Sequence, residues 1–312
     1  MTSVWLFPGQ GSQAVGMGRA LYESSPAARG VFDAADRALG RPISKLCFEG
    51  PDSELALTYN TQPAIVTASV AVLAAIRERY PSIEAPAFAA GHSLGEYSAL
   101  VAAGALSLED AVRLVELRGR AMQEAVPEGE GGMAAILGGD RPTVEALCAD
   151  ARQGEVLEPA NFNAPSQVVI SGSARAVARA AALAPDRKLK AIPLNVSAPF
   201  HCPLMQPAAE KVERALSEIR LTAPAFPIVN NVSAEPNQKP EGLRTALVRQ
   251  VASAVLWEQS VMAIAAAGVT RALEIGPGKV LAGLVKRIDK RIQVLNVSDP
   301  AGIDQIGAFL AG

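Results

Sequence analysis

Apolar residues along the chain gather in short runs that end at glycine-rich turns and are followed by stretches with helical spacing. Residues 2 to 7 (TSVWLF) predict a strand that runs into Pro8-Gly9-Gln10-Gly11-Ser12, with helical patterning from there to about Arg37. PAFAA (86 to 90) predicts a second strand, which ends in Gly91-His92-Ser93-Leu94-Gly95 and a helix beginning near Leu94. Further units are FPIVNN (226 to 231), a helical stretch from Leu243 to Ala267, RALEIG (271 to 276) and RIQVLNV (291 to 297). Repeated strand-turn-helix units imply an α/β fold with a mainly parallel sheet and helices on both faces.

Between Pro127 and about Val196 the rhythm changes. After EGEGG come a strand (133 to 139), a helix (142 to 151), strands at VLEPANFN and QVVISG, a helix (174 to 184) and the strand KLKAIPLNV. That order is β-α-β-β-α-β, the pattern of a ferredoxin-like unit. The expectation is a small domain, residues 128–196, inserted into a larger α/β domain made of residues 1–127 and 197–312.

At 312 residues with 49% apolar and 19% charged, the chain can bury a substantial core. No apolar run approaches the ~18 uncharged residues of a membrane helix, and Met1 to Val15 lacks a secretory pattern, so a cytoplasmic protein without a membrane partner is expected. Cys47, Cys148 and Cys202 show no paired spacing and suggest neither disulfides nor zinc. A net charge of -2 gives no argument for nucleic acid. Basic clusters stand at Arg187, Lys188, Lys190 and at Lys286, Arg287, Lys290, Arg291; taken alone they read as solvated faces. Only two histidines, His92 and His201, are available to any mechanism that needs one.

Gly91-His92-Ser93-Leu94-Gly95 fits G-x-S-x-G between a strand and a helix, the context in which glycines permit a sharp turn that presents a serine nucleophile. The competing use is a glycine-rich turn with a capping serine. A serine needs an adjacent base. His92 is a poor candidate because neighbouring side chains at a strand end diverge, which leaves His201 in SAPFHC (197 to 202). No acid is singled out to orient it, so a dyad held by a backbone carbonyl and a triad both stay open.

The helix LEDAVRLVELRGRAMQEA (108 to 125) carries Arg118 in its apolar stripe, with Ala111, Leu114, Val115, Ala121, Met122 and Ala125 within about 60° of it. Arg113 and Arg120 fall on the opposite face, where Glu109 with Arg113 and Glu116 with Arg120 have the favourable i, i+4 order. An inward guanidinium must find an anion, because an unpaired buried charge costs several kcal/mol. The anion is either an acid distant in sequence or a substrate carboxylate gripped bidentately. Gly9-Gln10-Gly11-Ser12-Gln13-Ala14 also satisfies G-x-G-x-x-A, but residues 30 to 40, where a dinucleotide fold needs a second strand and an acid, are helical in pattern. A turn that lends a backbone N–H to an oxyanion hole fits better, and Gly276-Pro277-Gly278 reads as a tight turn.

FPGQGSQ (7 to 13), GHSLGE (91 to 96), VELRGRAMQ (115 to 123), SAPFHC (197 to 202), NNVSA (230 to 234), VRQ (248 to 250) and EIGPGKVLAGL (274 to 284) together resemble the malonyl-CoA:acyl carrier protein transacylases of type II fatty acid synthesis and the related polyketide synthase acyltransferases. The resemblance implies an α/β-hydrolase-like core, an acyl-Ser93 intermediate, His201 as base and the Gln250 carbonyl orienting it. It further implies an oxyanion hole from the Gln10 and Leu94 N–H groups, and Arg118 on the malonyl carboxylate with Met122 and Phe200 beside the acyl group. Phenylalanine before the histidine goes with malonyl rather than methylmalonyl in the polyketide relatives. The implied partners are malonyl-CoA and acyl carrier protein; a monomer with no metal or redox cofactor is expected. A serine hydrolase or thioesterase would share the elbow but have no use for an inward arginine, and a non-catalytic carrier-binding module would have no use for an intact Ser93 and His201.

Overall fold

The computed structural model describes residues 2–311. Strand β1 (Ser3–Phe7) is the centre of a six-stranded sheet with β2 (Phe88–Gly91), β7 (Ile228–Val229), β8 (Pro236–Asn237), β9 (Arg271–Ile275) and β10 (Gln293–Val297), in the order β10-β9-β1-β2-β7-β8. All neighbours are parallel except β7 and β8. Side chains alternate faces along a strand, and β1 is apolar on both. Trp5 and Phe7 join the core formed with helices Pro26–Leu39, Thr58–Arg79 and Leu108–Glu124, whereas Val4 and Leu6 join a second core with helices Trp257–Ala266 and Val280–Ile288. The two faces account for the expected double cover of helices.

A second, antiparallel sheet has the order β4-β5-β3-β6, from β3 (Gly131–Leu137), β4 (Leu157–Ala164), β5 (Gln167–Ser173) and β6 (Lys190–Pro193). Helices Arg141–Arg152 and Ala174–Leu183 supply Val144, Leu147, Ala176 and Ala180 to the core on one side of it.

Four expectations change. The stretch from Ser12 to Arg37 is not one helix: Gly11, Gly16 and Gly18 take positive φ, and helix begins only at Arg19 and again at Pro26. Leu243 to Ala267 is likewise broken, into Pro240–Ala252 and Trp257–Ala266. Between them Val255 pairs with β4, its N–H donating to the Ala160 carbonyl at 2.9 Å and its carbonyl accepting from Phe162 N–H at 2.9 Å, which ties the two sheets together. Arg113 pairs with Asp110 at 3.9 Å, not with Glu109, while Arg120 and Glu116 meet at 3.5 Å as expected. Finally, helix Thr58–Arg79 is long and apolar enough to cross a membrane by length and composition, contrary to the sequence reading. Thr58, Asn60, Thr61, Gln62, Thr67 and Ser69 interrupt its apolar run, yet all are buried, and 89% of its most apolar window lies inside the fold, so it is a core helix.

That helix crosses Leu108–Glu124 at Gly119, where an added Cβ would lie 2.7 Å from the Tyr59 Cα and 2.8 Å from the Thr58 carbonyl oxygen. Backbone cannot yield as a side chain does, so crowding outweighs the ~1 kcal/mol helix-propensity gain of alanine over glycine. Gly119→Ala should therefore lose about 1–3 kcal/mol of stability; a denaturation midpoint at or above the parent's would show that the crossing is loose.

Candidate active site

The carboxyl ends of β1 and β2 bring the loop at Gly9-Gln10 and the turn at Ser93 side by side. Ser93 has φ 51°, in the left-handed region. That conformation costs a non-glycine residue ~1–2 kcal/mol, and the flanking glycines make it possible. A Cβ on Gly91 would sit 1.9 Å from the Gly95 carbonyl carbon, and one on Gly95 would sit 2.2 Å from the Phe7 carbonyl oxygen. The turn is held from outside as well: Ser93 N–H donates to Asn231 Oδ1 at 2.7 Å, and Asn231 Nδ2 donates to the Gly91 carbonyl at 2.7 Å.

Ser93 Oγ lies 2.8 Å from His201 Nε2, and His201 Nδ1 lies 2.8 Å from the Gln250 carbonyl oxygen. A carbonyl can only accept, so Nδ1 carries the proton and Nε2 is free to take the one on Ser93. The helix break at Ser253 explains why that carbonyl is available: Gln250 lies within the last turn of Pro240–Ala252, where carbonyls lose their intrahelical donors. His201 is itself at φ 59° and 5% exposed. Burial first, then the charge of Arg118, lowers its pKa from 6.5 to about 3. His92 faces the other way, with Nε2 2.8 Å from Asn163 Oδ1 and its ring 5.6 Å from that of Trp257.

Arg118 is 1% exposed. Among the described residues no carboxylate lies within ion-pair distance of it, so it has no direct partner of the kind a purely structural role requires. Its Nη1 donates to Gln62 Oε1 at 2.7 Å, and its Nη2 to Gln250 Oε1 at 2.9 Å and to Ser93 Oγ at 3.0 Å. The guanidinium thus reaches the Ser93 hydroxyl itself. Met122, Phe200, Gln10 and Leu94 line the same cavity of about 120 Å³ with Ser93, His201 and Arg118. Neither the Gln10 nor the Leu94 N–H donates to an acceptor among the described residues. A wider cavity of about 600 Å³ near Ser3, Tyr80 and Arg271 lies at the opposite end of the strands and contains none of these groups. Residues 30 to 40, where a dinucleotide fold would need its second strand, lie largely in helix Pro26–Leu39.

The sequence reading missed four contributors. Gln62 lies on the core helix it did not identify. Glu96, Asn230 and Asn231 stand inside quoted motifs, but nothing in their spacing says that their side chains meet beneath the elbow: Glu96 accepts from Asn230 Nδ2 at 2.7 Å, Asn231 N–H at 3.1 Å and Gln250 Nε2 at 2.8 Å.

A serine, a histidine and a buried arginine thus converge at a strand-to-helix elbow, the arrangement that serine acyl transfer requires. The acyl transferase domain family matches residues 4–301, and the chain belongs to that family. It is 50% identical over 302 residues to the malonyl CoA-acyl carrier protein transacylase of Bacillus subtilis (96% of this chain, 94% of the relative). It is 48% identical over 300 residues to that of Escherichia coli K12 (96% of each). Among solved structures, a type II PKS acyl-carrier protein in complex with its malonyl-transacylase gives a TM-score of 0.96 at 44% identity, covering 100% of both chains.

Because His201 is held neutral by burial, its base form should persist far below pH 6.5. If Ser93 is acylated with His201 as base, kcat/KM should accordingly stay level from pH 8 to about pH 5, with loss only toward the lowered pKa; a break near 6.5 would mean that the ring is solvated in the free protein.

Proposed function

We propose that the chain is a malonyl-CoA:acyl carrier protein transacylase that works by a ping-pong mechanism, with Ser93 carrying the malonyl group. The names of its relatives and the solved carrier-protein complex support the substrates. In the first half-reaction His201 Nε2 takes the Ser93 proton as Oγ attacks the thioester carbonyl. The Gln10 and Leu94 N–H groups receive the oxyanion, the Gln250 carbonyl holds the imidazolium, and CoA leaves with the proton returned to its thiolate. The phosphopantetheine thiol then repeats the sequence in reverse. No metal or redox cofactor enters these steps, and the need for CoA and carrier-protein thioesters supports a cytoplasmic location. We assign residues 128–196 as a ferredoxin-like insertion in an α/β-hydrolase-like core; the β4-β5-β3-β6 order supports the first part. Phe200, 8% exposed and on the cavity wall, occupies space a 2-methyl branch would need, which favours malonyl by ~1–3 kcal/mol.

The observation that carries this reading is the buried Arg118 guanidinium, 3.0 Å from Ser93 Oγ and without a carboxylate partner of its own. A malonyl group is an acyl chain that ends in such a carboxylate. Removing one partner of a desolvated charge pair costs ~3–5 kcal/mol, or roughly a hundredfold to several thousandfold in kcat/KM. Arg118→Ala should lose malonyl transfer by that factor and keep acetyl transfer, while Arg118→Lys, which lacks the planar fork, should recover part of it. Equal loss of both acyl groups would reduce Arg118 to a structural role. Intact mass spectrometry after mixing with malonyl-CoA alone should show one malonyl group, mapped to Ser93; fast release of malonate without a thiol acceptor would favour a thioesterase instead.

The basic clusters are candidates for steering an acidic carrier protein. Arg187 is paired with Asp150, Arg291 with Asp289 at 2.6 Å, and Arg287 donates to Gln167, whereas Lys188, Lys190, Lys286 and Lys290 are exposed. Charge reversal at these four lysines should raise KM for carrier protein and flatten its salt dependence, with self-acylation from malonyl-CoA unchanged; carrier-protein kinetics indifferent to all four would place docking elsewhere.

A further inference from the structure

Glu96 is fully buried one residue beyond the elbow, and the proposed chemistry gives it no task. Its surroundings fix its charge. The Asn231 main-chain N–H can only donate. Asn230 Oδ1 is engaged by Asn237 Nδ2 at 3.1 Å, so the group Asn230 turns toward Glu96 is its NH2. Gln250 Oε1 must face the Arg118 guanidinium, which has no acceptor, so Gln250 also presents its NH2 to Glu96. A protonated carboxyl would have to donate to one of three donors. Glu96 is therefore an anion in spite of burial, which pushes its pKa up; the three hydrogen bonds and the Arg118 charge pull the other way.

The same Gln250 amide touches Glu96 with one end and Arg118 with the other. It also donates to the Ser93 carbonyl at 3.0 Å and to Asn231 Oδ1 at 3.2 Å, the atom that holds Ser93 N–H. We propose that Glu96 is a positioning residue for acyl-group selection: its buried carboxylate is the counter-charge of Arg118, transmitted through the Gln250 side-chain amide, which it holds together with the Ser93 carbonyl and Asn231 Oδ1 in the orientation that aims the guanidinium at Ser93. The idea rests on Arg118 as the malonyl carboxylate site. Its consequence is specific. Replacing the anion by a neutral amide of the same shape removes the counter-charge: the amide oxygen stays on the Asn231 N–H and the Gln250 NH2, its own NH2 meets that of Asn230, and the guanidinium is left buried with no negative charge behind it.

Glu96→Gln should thus lower kcat/KM for malonyl transfer by about ten- to a hundredfold, the usual span for hydrogen bonds to charged groups, with acetyl transfer reduced much less. Glu96→Asp, which keeps the charge, should recover selectivity in part. In an Arg118→Ala background, Glu96→Gln should change malonyl-to-acetyl selectivity no further, because the residue through which it acts is gone. Asn230→Ala, which removes one donor to Glu96 and touches neither Ser93 nor Arg118, should shift selectivity in the same direction by a smaller factor and covers the case in which the Glu96 variants do not fold. If Arg118→Ala alters selectivity but Glu96→Gln, or Asn230→Ala where the former is not folded, leaves the ratio at the parent value, the role assigned to Glu96 is wrong. If Arg118→Ala leaves the ratio unaltered, the Arg118 reading fails first.

Discussion

Two features of the site that seem separate, the tautomer of its histidine and the aim of its arginine, are set by one residue. The Gln250 carbonyl accepts from His201 Nδ1, and the Gln250 side-chain oxygen accepts from Arg118 Nη2. The first depends on where a helix stops, since a continuous helix through residue 254 would have consumed that carbonyl in its own ladder. The second depends on a side chain fully enclosed by the elbow and the buried polar cluster below it. Such a cluster is stable only when every member is matched, which ties the site to the place where Val255 departs to join the second sheet.

Arg118 is costly to the fold. Burial lowers its pKa, its Nε has no partner among the described residues, and its nearest acceptors are neutral oxygens of Gln62, Gln250 and Ser93. A hydrophobic residue of similar volume at that position of the helix stripe would meet Met122 and Tyr97 without this penalty. The charge is intelligible only if something else gains from it, and its distance to Ser93 Oγ says where that gain falls.

How much of this could be read from the sequence follows from the range over which each feature is determined. Period and turn chemistry are local, and they located β1, β2, β9, β10 and all four strands of the second sheet to within a few residues. The elbow is local too, since two glycines and a serine suffice. Arg118 was legible because helical projection is a property of its own helix. What the residues themselves did not disclose is long-range: Gln62 and Asn231 reach the site across 56 and 138 positions, and a glutamine or asparagine gives no sign of its partner. The broken helix at Ser253 was missed because Ala252 to Leu256 contains neither glycine nor proline; pairing with β4 stops it, not propensity. The membrane-like run at Thr58–Arg79 went unnoticed because Thr58, Asn60, Thr61, Gln62, Thr67 and Ser69 interrupt its apolar residues, and nothing in their spacing says that they are buried.

A carbonyl in place of a carboxylate behind His201 has a further physical meaning. A carboxylate would stabilise the imidazolium by a full charge; a carbonyl offers a dipole, and Arg118 opposes the positive ring, so the histidine is a weak base. Any base discriminates among acceptors by the acidity of the proton to be removed. A thiol, with a pKa of about 8.5, surrenders its proton to such a base far more readily than water, at about 15.7. Under the transacylase reading, a thiol acceptor therefore has an advantage over water that comes from its own acidity, whatever the strength of the base.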